Sequence, residues 1–179
     1  EPPIFADSFR FSVAENSAAG TYIGIISADD EDREETHSFY IQDINLESSS
    51  SLWVFGVDSV NSTDSSAGSA KVFVTEYGKN HLDYENPVNS FNVSIVVMDS
   101  GGLSDMCTVT VTVDDVNEPP TPNKTHTFWI RENAQKGTLL GYPILSGDPD
   151  IYDTHDYIIS SWSADDETYS NTDSTWHLP

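Results

Sequence analysis

The segment "CTVTVTVDDVNEPP", Cys107–Pro120, contains the pattern that decides the fold. Its first half alternates Val109, Val111 and Val113 with threonines, and such period-two alternation of β-branched residues is typical of a strand with one buried face. Cys107 is in step with these valines, so we expect a buried strand residue rather than a reactive thiol. The second half replaces the alternation with acids, an amide and a rigid Pro-Pro pair, which predicts that the strand ends there.

The same alternation recurs upstream, and it predicts seven strands before the Pro-Pro pair. They lie near "FRFSVA", "TYIGIISA", "SFYIQDI", "LWVFGV", "AKVFVTEY", "SFNVSIVVMD" and "CTVTVTVDD". Seven short strands separated by Gly-, Asp- and Ser-rich turns indicate an all-β, immunoglobulin-like Greek-key β-sandwich. The residues that we expect to face its core are Phe9, Phe11, Val13, Phe91, Val93, Ile95 and Val97.

The chain repeats itself after the Pro-Pro pair. The segments "EPPIFADSFRFSVAENSAAGTYIG" and "EPPTPNKTHTFWIRENAQKGTLLG" align from Glu1 and Glu118 without a gap, and they share Glu-Pro-Pro, Glu-Asn and Gly-Thr pairs. Such self-similarity indicates tandem copies of one unit. We predict a complete repeat over residues 1–118, with its linker at 114–120, and a truncated second repeat over 119–179. Because half a sandwich leaves its core unpaired, we expect poor order after about Ile159.

The charge of the chain excludes some partners. Thirty acids against seven Lys and Arg leave a formal net charge of −23, which repels nucleic acid and anionic membrane surfaces. No apolar run approaches the roughly 18 residues of a membrane span, so we expect membrane attachment only through other parts of the parent protein. Three glycosylation sequons, at Asn61, Asn92 and Asn123, are compatible with secretion.

Five acidic phrases lie at the ends of the predicted strands. The loops of a sandwich gather at its two ends, and the parity of the strands decides which end each phrase occupies. At the end reached by the first and seventh strands, here called the bottom, we expect Glu15, Asp83, Glu85, Asp115, Asn117 and Glu118. At the opposite end, the top, we expect Asp30, Asp32 and Asp99. The corresponding top residues of the second copy are Asp148 and Asp150.

Clustered carboxylates of this kind require a counter-ion. Two carboxylates about 4 Å apart repel by up to ~4 kcal/mol at an effective dielectric constant near 20. An all-oxygen ligand set suits Ca²⁺ better than Mg²⁺, which demands a tight octahedron, or Zn²⁺, which prefers His and Cys. The alternative interpretation is that the acids only form turns by capping nearby backbone groups. Turn formation does not explain why acids of three separate loops point to one end.

The phrases "AEN", "DED", "LDYE", "DSGG" and "DVNEPP", in this order, resemble the calcium motifs of the cadherin repeat. The resemblance covers the first copy and the first half of the second. It implies inter-repeat Ca²⁺ ligands at Glu15, Asp83, Glu85, Asp115, Asn117, Glu118, Asp148 and Asp150. It also implies a half-site toward a preceding repeat at Asp30, Asp32 and Asp99. Glu118 departs from the usual Asp-x-Asn-Asp linker, which implies an altered number or affinity of bound ions.

The resemblance implies a calcium-binding module at the extracellular face of the plasma membrane, in a single-pass parent protein. Its partners are then neighbouring repeats and another cadherin-like molecule, in homophilic cell-cell adhesion. The alternative is a calcium-stabilised spacer or carbohydrate-binding module of a secreted or surface protein. The sequence contains no HExxH, GxSxG, Walker or GxGxxG motif, so we do not expect an enzyme. We interpret His37, beside "DREE", as part of a solvated loop.

Overall fold

The computed structural model describes residues 1–6, 8–32, 35–42, 53–60, 67–122, 125–164 and 167–170. The chain divides into two compact units, Glu1–Asn117 (unit 1) and Glu118–Pro179 (unit 2). The sequons at Asn61 and Asn123 lie outside the described residues, whereas Asn92 is exposed.

Unit 1 is built from eight described strands. Their bounds are β1 Ile4–Phe5, β2 Phe9–Ala14, β3 Tyr22–Asp29, β4 Ser38–Ile41, β5 Phe55–Val60, β6 Ala67–Val74, β7 Ser90–Met98 and β8 Ser104–Asp114. The seven strands predicted from the sequence are β2 to β8. Sequence analysis missed β1, because a strand of two residues is too short to show an alternating pattern.

The strands form two four-stranded sheets, ordered β1-β3-β6-β5 and β2-β8-β7-β4. All neighbours pair in the antiparallel sense except β2 and β8, which run parallel from Phe9↔Val109 to Ala14↔Asp114. The predicted immunoglobulin-like β-sandwich is therefore confirmed. The parallel pair has a direct consequence for the site, because the residues that follow β2 and β8 leave the sandwich at the same end.

The core lies between the two sheets, and its periodicity follows the predicted alternation. Val109, Val111 and Val113 of β8 are buried, as are Ile95 and Val97 of β7. The other predicted core residues that are not fully buried, Phe9, Phe11, Phe91 and Val93, pack against this cluster. Cys107 also packs against the core but is half-buried, since it lies near the start of β8.

Unit 2 contains four short strands, β9 Thr121–Pro122, β10 Ser146–Gly147, β11 Ser161–Ala164 and β12 Glu167–Ser170. Strands β9 and β10 pair with each other, and so do β11 and β12. Residues 165, 166 and 171–179 lie outside the described residues, so the expected poor order after about Ile159 stays a prediction.

The matching segments of the two copies adopt the same local backbone. Asn16 and Asn133 have φ angles of 56° and 61°, in the left-handed region that asparagine tolerates better than most residues. In the turns that follow, Thr21 Oγ1 donates to the carbonyl of Ala18 and Thr138 Oγ1 to that of Gln135, each at 2.7 Å. The sequence repeat is thus also a repeat of conformation in this segment.

Candidate metal centres

The bottom of unit 1 is organised around the carboxylate of Glu15. Glu15 follows β2, and its backbone N–H donates to the carbonyl of Asp114 at 3.0 Å, which extends the parallel pairing by one bond. Its side chain is turned inward, and the residue is 3% exposed. Oε1 accepts a hydrogen bond from the Val116 N–H at 2.8 Å, and Oε2 accepts one from the Tyr84 N–H at 2.9 Å. One buried carboxylate therefore joins the loop before β7 to the segment after β8.

Two further acids lie beside Glu15. Carboxylate oxygens of Glu15, Asp83 and Glu85 all lie within 4.8 Å of one another. The loop that carries Asp83 and Glu85 is anchored by Leu82, which is buried and whose carbonyl accepts the N–H of Asn16 at 3.1 Å. Leu82 thus packs this loop against the core, and three of the predicted bottom ligands come together in unit 1.

The remaining predicted bottom ligands lie in the linker. Asp115 and Asn117 follow β8 at the end of unit 1, and both are exposed. Glu118 is the first residue of unit 2, where its backbone N–H donates to Asp150 Oδ2 at 2.6 Å. This bond ties the start of unit 2 to the loop that carries Asp148 and Asp150.

A second carboxylate cluster lies at the top of unit 1, after β3 and β7. Oxygens of Asp30, Glu35 and Asp99 lie within 4.8 Å of one another, and Asp30 and Asp99 are buried. The carboxylate of Asp99 accepts the Leu103 N–H at 2.8 Å. Glu35 Oε2 is buried and has no hydrogen-bond partner among the described residues. An unpaired oxygen among three acids fits a position that receives a cation.

The membership of this cluster differs from the sequence-based expectation at two residues, Asp32 and Glu35. Asp32 was predicted as a ligand, but it lies outside the group of three, and its carboxylate contacts the amino group of Glu1. Glu35 was not predicted, because "DREE" contains several acids and nothing in the sequence distinguishes the one that turns inward. Only the path of the chain between β3 and β4 decides it.

The Asp30 carboxylate accepts hydrogen bonds on both oxygens. Oδ1 accepts the N–H of Asp32 at 2.9 Å, and Oδ2 lies 3.1 Å from His37 Nε2. Burial of the carboxyl raises the pKa of Asp30, but the hydrogen bonds from Asp32 and His37 outweigh it, and the pKa lies below its ordinary value. The His37 side chain is only 4% exposed. Its interpretation as part of a solvated loop is therefore wrong, since the imidazole is inserted between the acidic loop and β6.

Unit 2 repeats this arrangement. Asp148 Oδ1 accepts the N–H of Asp150 at 3.0 Å, and its Oδ2 lies 2.5 Å from His155 Nε2. Sequence analysis assigned His37 to a solvated loop and did not single out His155, although a signal is present: the pattern Asp-x-Asp-x4-His occurs at Asp30–His37 and again at Asp148–His155.

The chemistry of both clusters in unit 1 suits a hard cation. Every ligand atom that they offer is a carboxylate oxygen, which is the donor type that Ca²⁺ prefers and Zn²⁺ does not. Because the acids come from different loops with fixed backbones, an ion of flexible coordination number is accommodated more readily than octahedral Mg²⁺. The fold and the site thus define a β-sandwich module with carboxylate clusters at both ends.

Comparison with known proteins identifies the family. The family model of the Cadherin domain matches residues 9–114. Cadherin-22 of Homo sapiens is 32% identical over 161 residues, which cover 83% of this chain and 18% of that protein. Protocadherin gamma-B5 of Pan troglodytes is 31% identical over 142 residues, or 78% of this chain and 13% of that protein. The chain belongs to the cadherin family, and it spans less than a fifth of the length of these relatives.

Solved structures show the same fold. Protocadherin Gamma C5 EC1-3 superposes with a TM-score of 0.57 at 20% identity, over 83% of this chain and 45% of that one. Drosophila N-cadherin EC1-4 gives a TM-score of 0.54 at 20% identity, over 83% of this chain and 34% of that one. The chain is thus a cadherin-type module, and the family to which it belongs is one of adhesion molecules and not of enzymes. Within the described residues, no helix has the length and hydrophobicity to cross a membrane.

Proposed function

We propose that this module binds Ca²⁺ at its linker and that the bound ions hold consecutive repeats in a fixed arrangement. The observation that carries the proposal is the buried Glu15 carboxylate, which bonds to the loop of Asp83 and Glu85 and to the linker at Val116. Hydrogen bonds already hold the Asp83–Glu85 loop and the linker next to Glu15. Binding of a cation therefore requires no large rearrangement within unit 1.

The proposed ligands belong to both units. From unit 1 and the linker they are Glu15, Asp83, Glu85, Asp115 and Asn117, and from unit 2 they are Glu118, Asp148 and Asp150. The assignment of the linker and unit 2 residues rests on their order in the sequence and on family membership. Asp30, Asp99 and Glu35 are the corresponding ligands for a preceding repeat, and Asp32 is proposed with them.

Ca²⁺ supplies charge neutralisation and many oxygen coordination positions. Without it, acids crowded in and around the linker repel one another and favour bent or open arrangements. An ion that binds residues of both repeats favours the arrangement in which all ligands are within reach, and it stabilises that arrangement by mass action. Dissociation constants of about 10⁻⁴–10⁻³ M are typical of extracellular calcium modules, and we expect values in this range.

A calcium titration tests the proposal. Isothermal titration calorimetry should detect saturable binding, and small-angle scattering of the same samples should show a narrower distribution of inter-unit distances as calcium is added. Protease cleavage at the linker should slow in parallel. Mg²⁺ at the same concentrations is the matched control and should have little effect. Absence of calcium binding, or binding without any change in scattering and cleavage, would contradict the proposal.

We further propose that the whole protein acts in homophilic cell-cell adhesion at the extracellular face of the plasma membrane, as a single-pass membrane protein. Support comes from family membership and from the carboxylate clusters of the module. Beads coated with the full extracellular region should aggregate with calcium and disperse with EDTA. Calcium-dependent rigidity without aggregation would favour the spacer alternative, and binding of the beads to glycans would favour the carbohydrate-binding one.

A further inference from the structure

We propose that His37 and His155 are positioning residues for calcium binding. Each holds the carboxylate of the first aspartate of an Asp-x-Asp segment, Asp30 or Asp148, in the orientation in which it meets the ion. The inference rests on the proposed function, and it concerns residues that offer no ligand atom to the carboxylate clusters themselves.

The geometry shows how the carboxylates are held. In Asp30 and Asp148, Oδ1 accepts a backbone N–H from the residue two positions later, and Oδ2 lies within hydrogen-bond distance of an imidazole Nε2. Two bonds, one to each oxygen, fix the rotation of a carboxylate about its last torsion. A carboxylate offers about four lone-pair directions, so each oxygen keeps one for a cation. The imidazole and the ion therefore do not compete for the same position.

The His37 side chain packs against β6 at a position where the strand carries a glycine, Gly68. A Cβ atom built on Gly68 of β6 would stand 2.5 Å from the Cβ and 2.7 Å from the Cγ of His37. Any side chain at position 68 would force the histidine to move. With the imidazole 4% exposed and the Asp30 side chain fully buried, the pair is enclosed and its hydrogen bond is protected from water.

The second copy provides an independent occurrence of the same contact. The segments "DEDREETH" and "DPDIYDTH" share only the two aspartates, the threonine and the histidine, yet both bring Nε2 to the same oxygen of the first aspartate. Two segments of the tandem repeat that differ at their four remaining positions make the same contact. The contact thus accompanies the Asp-x-Asp-x4-His spacing in both copies.

The chemical reason is preorganisation. An imidazole that carries a proton on Nε2 donates to the carboxylate and holds both of its oxygens in place, whereas a carboxylate without such a partner would lose rotational freedom when it binds the ion. Hydrogen-bond partners behind metal ligands typically contribute 10–100-fold to metal affinity. We expect His155 to contribute about tenfold to the calcium affinity of the linker between unit 1 and unit 2.

The test compares variants at position 155 in the full chain. His155→Leu fills a similar volume but cannot donate, and His155→Gln places an amide donor at a similar reach. Calcium affinity, measured by calorimetry, should fall about tenfold in His155→Leu and should recover most of this loss in His155→Gln. His126→Leu is the matched control: His126 is exposed and stacks on Phe128, so calcium affinity should stay at the wild-type value.

A second measurement does not depend on variants. Nitrogen NMR of the calcium-free wild-type protein should show His155 with its proton on Nε2, and this readout remains valid should the leucine variant fail to fold. Equal affinity of wild type and His155→Leu, an unrescued His155→Gln, or a proton on Nδ1 alone would overturn the positioning role. A wild-type chain that binds no calcium would instead refute the proposed function itself.

Discussion

The ring of Phe11 lies so close to Gly24 that a Cβ atom built on this glycine would stand 2.3 Å from the ring carbon Cε1. Phe128 and Gly141 repeat the relationship in unit 2, with 2.5 Å to Cδ1. Gly24→Ala must displace a ring that also stacks on Phe9. We expect unit 1 to lose about 1–3 kcal/mol of unfolding free energy, the usual cost of overpacking. Urea denaturation measures this loss of unfolding free energy.

Ser27→Ala provides the control for Gly24→Ala, because Ser27 is exposed on the same strand, β3. Its urea midpoint should stay close to that of the wild type. A Gly24→Ala variant that is more stable than the wild type would contradict the prediction. It would mean that Phe11 moves aside at no cost, and that stability changes only because alanine lowers the conformational entropy of the unfolded chain.

Glu15 should have a structural role that persists without calcium. Glu15→Ala leaves the N–H groups of Tyr84 and Val116 without their acceptor, and a hydrogen bond to a charged group typically contributes about 1.5–3 kcal/mol. The melting temperature in EDTA should therefore fall. Asp83→Asn is the comparison: it removes one of the clustered charges and keeps the acceptor oxygen of the Asn86 N–H, so its variant should melt no lower than the wild type in EDTA yet gain less stability from added calcium. Equal melting of Glu15→Ala and wild type in EDTA would contradict this prediction.

Asp30 should make unit 1 sensitive to acid. Its pKa in the folded protein lies below the ordinary value, so the unfolded chain binds more protons in this range. The stabilisation is complete above the ordinary pKa of about 3.9 and is lost as the pH falls through the folded value. Melting in EDTA between pH 6 and pH 3 should show a smaller acid loss for Asp30→Asn than for wild type. Asp29→Asn, an exposed neighbour on β3, should follow the wild type.

Cys107 should react slowly although it is only half-buried. Burial, with a smaller contribution from the charge of Asp105, raises the pKa of the Cys107 thiol to about 11. At pH 8 only about one thiol in a thousand is then the reactive thiolate. Iodoacetamide labelling, followed by mass spectrometry, should be much slower in the native chain than in urea. Similar rates in the two states would show that the thiol is not protected.

Much of the fold could be predicted because it depends on local patterns. The alternation along "FNVSIVV" and "CTVTVTV" specifies which face of each strand is buried, whatever the partner strand is. Strand parity then places Glu15, Asp83 and Glu85 at one end, and the structure brings these three together. This deduction needs only the number of strands and their order.

Other features depend on contacts between distant parts of the chain. The two-residue strand β1 exists because it pairs with the end of β3, and the inward turn of Glu35 depends on the loop between β3 and β4. The enclosure of His37 depends on Gly68, which is distant in sequence. No local pattern encodes these contacts, since each forms only when two separated segments meet.

The sequence by itself determined the β-sandwich, the tandem repeat and the all-oxygen chemistry of the clustered acids, because strand periodicity, self-similarity and residue type are local properties. Only the tertiary structure decided which acids share a cluster, which carboxylate is buried and which histidine stands behind an aspartate. The physical reason is that burial and hydrogen bonding exist only in the packed chain. Nothing in the sequence distinguishes Glu15 from an ordinary surface acid, whereas in the fold it is buried and accepts two backbone N–H groups from other segments.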